Sequence, residues 1–332
     1  MLFMPKFDQE DFDLVKKEQL DNITNQSTQA ATIANNVFGK LVYGKESNLS
    51  LPVIGTAETV SSITLEDVKN YYKNFTGHDA VLSVSGDIDQ VAALKKLNFL
   101  TKLQSGLTMP LGKYKLPEID KTRLYFVDKK GAPQSEIRVG NLSMPFDATG
   151  DFFKSTIMNY SFAGAFNSRV NYLLREVKGY TYGARGGFYG TKFIGPYMIN
   201  AGVRANATDS SLIDIMSELK KYSEGGINND ELEFTKNAMA QSDALKYESP
   251  QQKIVFIKRV IDFNLDKSYV AQQGEIIKTI TKPEIDQLAK SNLQYNKMAI
   301  LIVGDKASNF EKLSKLGYEI IELDVNGNKV VN

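Results

Sequence analysis

Arg175 and Tyr182 stand seven residues apart in the stretch NSRVNYLLREVKGYTYGARGGFYG, residues 167–190. One side chain is a fork of cationic N–H donors, the other a phenol that is a neutral donor near pH 7. Neither is a nucleophile or a metal ligand of the usual kind, so the chemistry on offer is hydrogen-bond donation to an electron-rich group. Other chemistry is narrowed by what is missing. The chain has no cysteine, which removes disulfides, thiolate metal sites and a cysteine nucleophile. It has one histidine, His78, in a turn-like NFTGHDAV. Zinc peptidase motifs written on helices need two imidazoles on one face, so a catalytic zinc site within these residues is not expected.

The elements around the pair follow from spacing. Val170, Leu173 and Leu174 fall on one helical face, and Gly179 is placed to end that helix. Tyr180 to Gly190 alternates aromatic with small residues and reads as a glycine-broken strand. Arg175 then lies in the last helical turn and Tyr182 early in the strand, and such a corner can aim both into one space. The same residues fit a plainer account: a core helix, a turn and an aromatic strand, with Arg175 in a surface ion pair.

The whole chain has the composition of a soluble globular protein, 42% hydrophobic and 24% charged, and its 332 residues suggest about two domains. A net charge of +1 gives no general attraction to nucleic acid, and no apolar run reaches a membrane span. The opening MLFMPKFDQEDFD lacks the pattern of a signal peptide, and cytoplasm and periplasm both stay open. Helices are expected at 9–23, 26–40 (apolar stripe Ala30, Ile33, Ala34, Val37, Phe38), 90–97, 151–178 with a break near Gly164, and 210–222. Thr64 with Asp67 resembles a capping box that opens another. Strands are expected at 80–85, 123–128, 136–142 and 196–204, and Asp87 and Asp305 read as helix N-caps.

The later part of the sequence repeats its beginning. DELEFTKNAM from Asp230 parallels DFDLVKKEQL from Asp11, ITKPEIDQLAK from Ile280 parallels ITLEDVKNYYK from Ile63, and AILIVGDKASNFEKL parallels AVLSVSGDIDQVAAL. The offsets are 219 and 217 residues for the first two pairs and, with Gly304-Asp305 set against Gly86-Asp87, 218 for the third. Three colinear matches at a near-constant offset point to duplication. We therefore expect an α+β protein of tandem domains, each an antiparallel-rich sheet packed with helices. Residues 1–104 would be the C-terminal half of one domain, 105–116 a linker and 117–332 a complete second domain.

LLREVKGYTYG in this frame, with Ser168-Arg169 before it and LPVIGTAETVSSITLEDVKNYY in the first unit, resembles the insulinase/pitrilysin zinc metallopeptidases, the HxxEH inverzincins. The resemblance covers nearly the whole chain. It implies that Arg175 and Tyr182 reach into a peptide-cleaving site whose Zn²⁺, held by two His and a Glu, belongs to another domain or subunit. Tyr182 would donate to the developing oxyanion and Arg175 would hold a substrate carbonyl or carboxylate. Tyr180, five residues from Arg175, is the rival phenol, and Gly183 would let a peptide backbone come close. The zinc motif would fall at NYSFAG, residues 159–164, which has no His; the third ligand would fall near Asn22 and Gln241, with Glu18 or Asp21 reachable only in another register. No metal is expected on this chain. The partners implied are a peptide substrate and an HxxEH-bearing domain or subunit, with a homo-oligomer as a further arrangement, because a half domain leaves apolar surface bare. A non-enzymatic scaffold or peptide-holding subunit is the alternative.

Overall fold

The structure, a computed structural model, describes residues 3–74, 80–103, 115–243 and 248–330. Its helices are α1 (Gln9–Ser27), α2 (Ala30–Tyr43), α3 (Ala57–Ser62), α4 (Leu65–Lys73) and α5 (Gln90–Leu97). Strands β1 (Arg123–Asp128) and β2 (Gln134–Met144) precede α6 (Asp151–Asn159), which runs on into a π-helical turn, Tyr160–Gly164. The next helix, α7 (Arg169–Asn171), continues as a second π-helical turn, Tyr172–Val177. Then come β3 (Thr181–Phe188), β4 (Gly195–Arg204), α8 (Thr208–Gly225) and α9 (Asn229–Asp243). The chain closes with α10 (Pro250–Asp262), α11 (Tyr269–Thr279), α12 (Lys282–Asn292), β5 (Ala299–Gly304), α13 (Lys306–Ser314) and β6 (Ile320–Leu323).

By contact the chain divides into two units. The first holds residues 1–26, 52–114 and 245–265; the second holds 27–51, 115–244 and 266–332. The second unit carries a six-stranded mixed sheet in the order β3-β4-β2-β5-β1-β6. β1 pairs in parallel with β5 and β6, while β5–β2, β2–β4 and β4–β3 are antiparallel. β5 is central and every residue of it is buried, which explains its unbroken apolar run, AILIVG. Ile137, Val139, Tyr197, Ile199, Ile300 and Ile302 meet the helices on one face, with Ile157, Phe162, Leu174, Leu212 and Ile285. On the other face Ile33, Ala34, Val37 and Phe38 of α2 cover Val127, Leu301 and Val303. The periodic stripe expected for α2 is therefore real, the strands expected at 123–128, 136–142 and 196–204 form, and the broken helix expected over 151–178 runs to Val177.

The first unit is helical among its described residues. Thr64 and Asp67 make a reciprocal capping box at the start of α4, and Lys16 of α1 donates to the carbonyls of Ser61 and Ile63. Two expectations fail here. Residues 80–85 form no strand, and Val81 (63%) and Leu82 (58%) are exposed. Alternation alone does not make a strand; it needs a neighbour's N–H and C=O groups, and no strand of this unit is described. The N-cap of α5 is Asp89, which accepts from the Ala92 N–H, and not Asp87. Asp305 does cap its helix, accepting from the Ser308 N–H. His78 and residues 105–114 of the expected linker, 105–116, lie outside the described residues.

Candidate functional site

The corner between α7 and β3 is built by Gly179 and Asn171. Gly179 takes φ of +62°, the left-handed conformation a helix-ending glycine adopts at least cost. The Tyr180 N–H donates to the Leu174 carbonyl and closes the turn. Asn171, buried on the helix, donates from Nδ2 to the Phe166 carbonyl (2.5 Å) and accepts at Oδ1 from the Ala184 N–H (2.8 Å). One amide thus ties the loop before the helix to the strand after it.

β3 is the edge strand of the sheet, and its pairing with β4 shifts between Thr181 and Ala184: three steps on β3 oppose two on β4. The extra residue makes a bulge at Tyr182–Gly183, the kind of irregularity that re-aims a side chain. Thr181 fixes its base, donating from Oγ1 to the carbonyls of Gly202 (2.6 Å) and Gly183 (2.9 Å) and accepting from the Gly183 N–H (3.0 Å). The outcome for Tyr182 is a ring 91% exposed. Its hydroxyl has no hydrogen-bond partner among the described residues.

Arg175 lies in the π-helical turn with its guanidinium over the Phe166 ring, 4.4 Å from the centroid. Its Nη1 is 3.2 Å from a Glu176 carboxylate oxygen, but the alignment is not that of a hydrogen bond, and this buried nitrogen has no hydrogen-bond partner. The surface ion pair of the plainer account is thus present in part, beside a donor left unused. Tyr180 is half-buried and packs against the helix-side core. A Cβ on Gly183 would meet only Asn171 Oδ1, at 3.8 Å, so that face of the bulge is open. Gly186 differs: a Cβ there would sit 2.8 Å from Ala163 Cβ and 3.0 Å from Ile199 Cγ1, so its role is close packing.

Residues 159–164, where the resemblance puts the zinc motif, are closed core. Asn159 donates to the Gly186 carbonyl (2.7 Å) and accepts from the Tyr197 hydroxyl (3.1 Å), and Phe162 stacks on Tyr222. Tyr197 is wholly buried, and burial pushes its phenol well above the usual range. Asn22 accepts from the side chain of Gln26, its neighbour one turn on. Among the described residues no group of three or more His, Cys, Asp or Glu is placed to hold a metal ion.

Sequence reasoning missed Asn171, Phe166 and the half-buried pair of Arg169 with Glu231. Arg169 donates from Nε and Nη2 to the two carboxylate oxygens of Glu231 and lies over the Tyr222 ring. The available signal was a polar Asn inside the apolar stripe Val170–Leu174.

A family model described as the peptidase M16 inactive domain matches residues 62–239. An uncharacterized zinc protease YmxG of Bacillus subtilis is 24% identical over 260 residues, 76% of this chain and 61% of that protein. An uncharacterized zinc protease of Streptomyces coelicolor, SCO5738, is 22% identical over 68% of this chain and 50% of its own length. A non-peptidase homolog YmxG of Helicobacter pylori is 22% identical over 92% of this chain and 70% of its own. The chain thus spans about half to two thirds of the relatives it matches. Among solved structures, a peptidase M16 inactive domain from Pseudomonas fluorescens superposes with a TM-score of 0.80 at 21% identity, covering 92% of this chain and 73% of that one. A chain of complex III2 from Candida albicans does so with a TM-score of 0.70 at 12% identity, over 90% and 74%. These likenesses establish the fold.

Proposed function

Because the chain belongs to the peptidase M16 inactive-domain family, we propose that it is the substrate-holding part of a two-part zinc metallopeptidase, lending Arg175 and Tyr182 to a site on another domain or subunit. The observation that carries this reading is the unused donor capacity at the α7–β3 corner. Tyr182 is held out on a bulge with its hydroxyl unpartnered among the described residues, and Arg175 keeps a buried nitrogen without a hydrogen bond. A scaffold gains nothing from either.

In this reading Tyr182 donates a hydrogen bond to the oxygen on which charge develops as a peptide carbonyl is attacked. Arg175, oriented by stacking on Phe166, holds a neighbouring carbonyl or carboxylate of the substrate. Asn171 positions both by tying the Phe166 loop to β3. Gly183 leaves the bulge open for an extended chain, and Tyr180, half-buried against the helix-side core, is the rival phenol. Zinc would belong to the partner.

The tandem arrangement belongs to the same proposal. It is supported by capping boxes 217 residues apart, Thr64 with Asp67 and Thr281 with Glu284. In that scheme residues 1–104 and 117–332 belong to two related domains, the second of the inactive type.

A second reading, a non-catalytic scaffold or peptide-binding subunit, draws on the non-peptidase homolog among the relatives. Tyr182→Phe separates the two in a cleavage assay with an HxxEH-bearing partner added. The substrate-holding role predicts a fall in kcat of about 10²–10³ with KM little changed. Equal turnover of variant and wild type would leave the scaffold.

A further inference from the structure

Among the described residues of the second unit, α2 covers the second face of the sheet over β5 and β2, and no helix of this unit packs on that face over β4 and β3. β4 alternates buried with half-buried residues along its length, and the half-buried set, Pro196, Met198, Asn200 and Gly202, lies on this open side. Between α2 and β4 is a cavity of about 430 Å³, within the range that holds a small ligand or one or two residues of a peptide. Its apolar lining includes Phe38, Val42 and Met198. Its polar lining includes Asn200, Tyr43 and Tyr189, whose side chains have no hydrogen bond among the described residues.

The charge on this face is unbalanced. Arg138 is buried, with its Nη1 on Glu136 (2.8 Å) and its Nε on Asn35 of α2 (3.0 Å), so its charge is answered. Asn200 stands directly across from Arg138 on one side and from Arg185 of β3 on the other. Arg185 is exposed and has no carboxylate partner among the described residues. A row Arg138–Asn200–Arg185 with a single carboxylate leaves one cation and one amide free, a strand apart.

We infer that this cavity is a specificity subsite for an acidic side chain, Asp or Glu, within an extended peptide. The carboxylate takes its hydrogen bonds from Asn200 in the lining and from Arg185, which stands outside the lining, directly across from Asn200 on β3, and the apolar residue beside it fills the lining of Phe38, Val42 and Met198. A guanidinium–carboxylate bond is worth more than a neutral one, so it discriminates Glu from its amide isostere. The inference rests on reading this unit as peptide-holding.

The test is fluorescence anisotropy of the full chain with three labelled octapeptide pools. Each has randomised flanks, a fixed central Glu, Gln or Lys, and blocked ends. The expected result is binding about tenfold tighter for the Glu pool than for the Gln pool, with Lys weakest. Arg185→Glu should reverse the order of Glu and Lys, and Lys290→Glu, the same charge change on an exposed helix position, should not. Equal binding of the three pools, or a Glu preference surviving Arg185→Glu, overturns the subsite and leaves the peptide-holding role standing. No binding of any pool overturns both. A free-acid Gln pool that equals the blocked Glu pool would assign the cavity to peptide C-termini and overturn the side-chain reading.

Discussion

The Arg169–Glu231 pair shows how a residue beside the candidate site carries the fold. Burial alone would raise the Glu231 carboxyl, but the hydrogen bonds from Arg169 and the Asn228 N–H outweigh it and hold the group below the usual carboxylate range. A carboxyl depressed in the folded state contributes stability above its unfolded value, about 4.3, and loses it as pH falls through the folded value. Glu231→Gln should therefore cost about 2 kcal/mol at pH 7 and flatten the acid limb of a stability-against-pH curve, as denaturant melts from pH 7 to 3 would read. Tyr182→Phe should behave in the opposite way. An exposed hydroxyl with no partner carries no folding energy, so its stability should lie within about 0.5 kcal/mol of wild type. A larger loss would mean that the hydroxyl is structural and would undercut its proposed role.

Among the elements, β3 concentrates the strongest local constraints. Its glycines are not equivalent: Gly186 closes on Ala163 and Ile199, whereas a Cβ on Gly187 would meet nothing within 4 Å. Gly186→Ala should cost about 1–3 kcal/mol in urea melts through overpacking, while Gly187→Ala should be near neutral. Equal costs would show that the strand does not seat against the π-helical turn as described. Glycine spacing in the sequence marked a bent strand, but which glycine packs and which faces open space depends on residues 163 and 199, far along the chain. β5 and residues 80–85 make the same point for strands. Both have apolar patterns, yet β5 lies between two strands and is buried, whereas 80–85 is unpaired.

For the whole molecule this contrast predicts uneven protection. Amide exchange at 299–304 should be slow, limited by opening of the sheet, and at 80–85 fast, near that of an unpaired chain. Slow exchange at 80–85 in the isolated protein would mean that it has found a strand partner, for instance in a second copy. On the tandem proposal, adding an HxxEH-bearing partner should slow exchange there and leave 299–304 unchanged. Among the described residues no helix is long and apolar enough to cross a membrane.

Local rules were enough for much of this architecture. Helical periodicity located α2 and α8, Thr64 and Asp305 marked helix starts, and LLREVKGYTYG marked the helix-to-strand corner. Each of these is decided by residues within a turn or two of one another. The bulge that turns Tyr182 outward, the ring beneath Arg175, the tie through Asn171 and the order of the six strands are decided by partners distant in sequence. Pairing register and side-chain environment are properties of two segments at once, and a pattern read along one segment holds only its own half of that information.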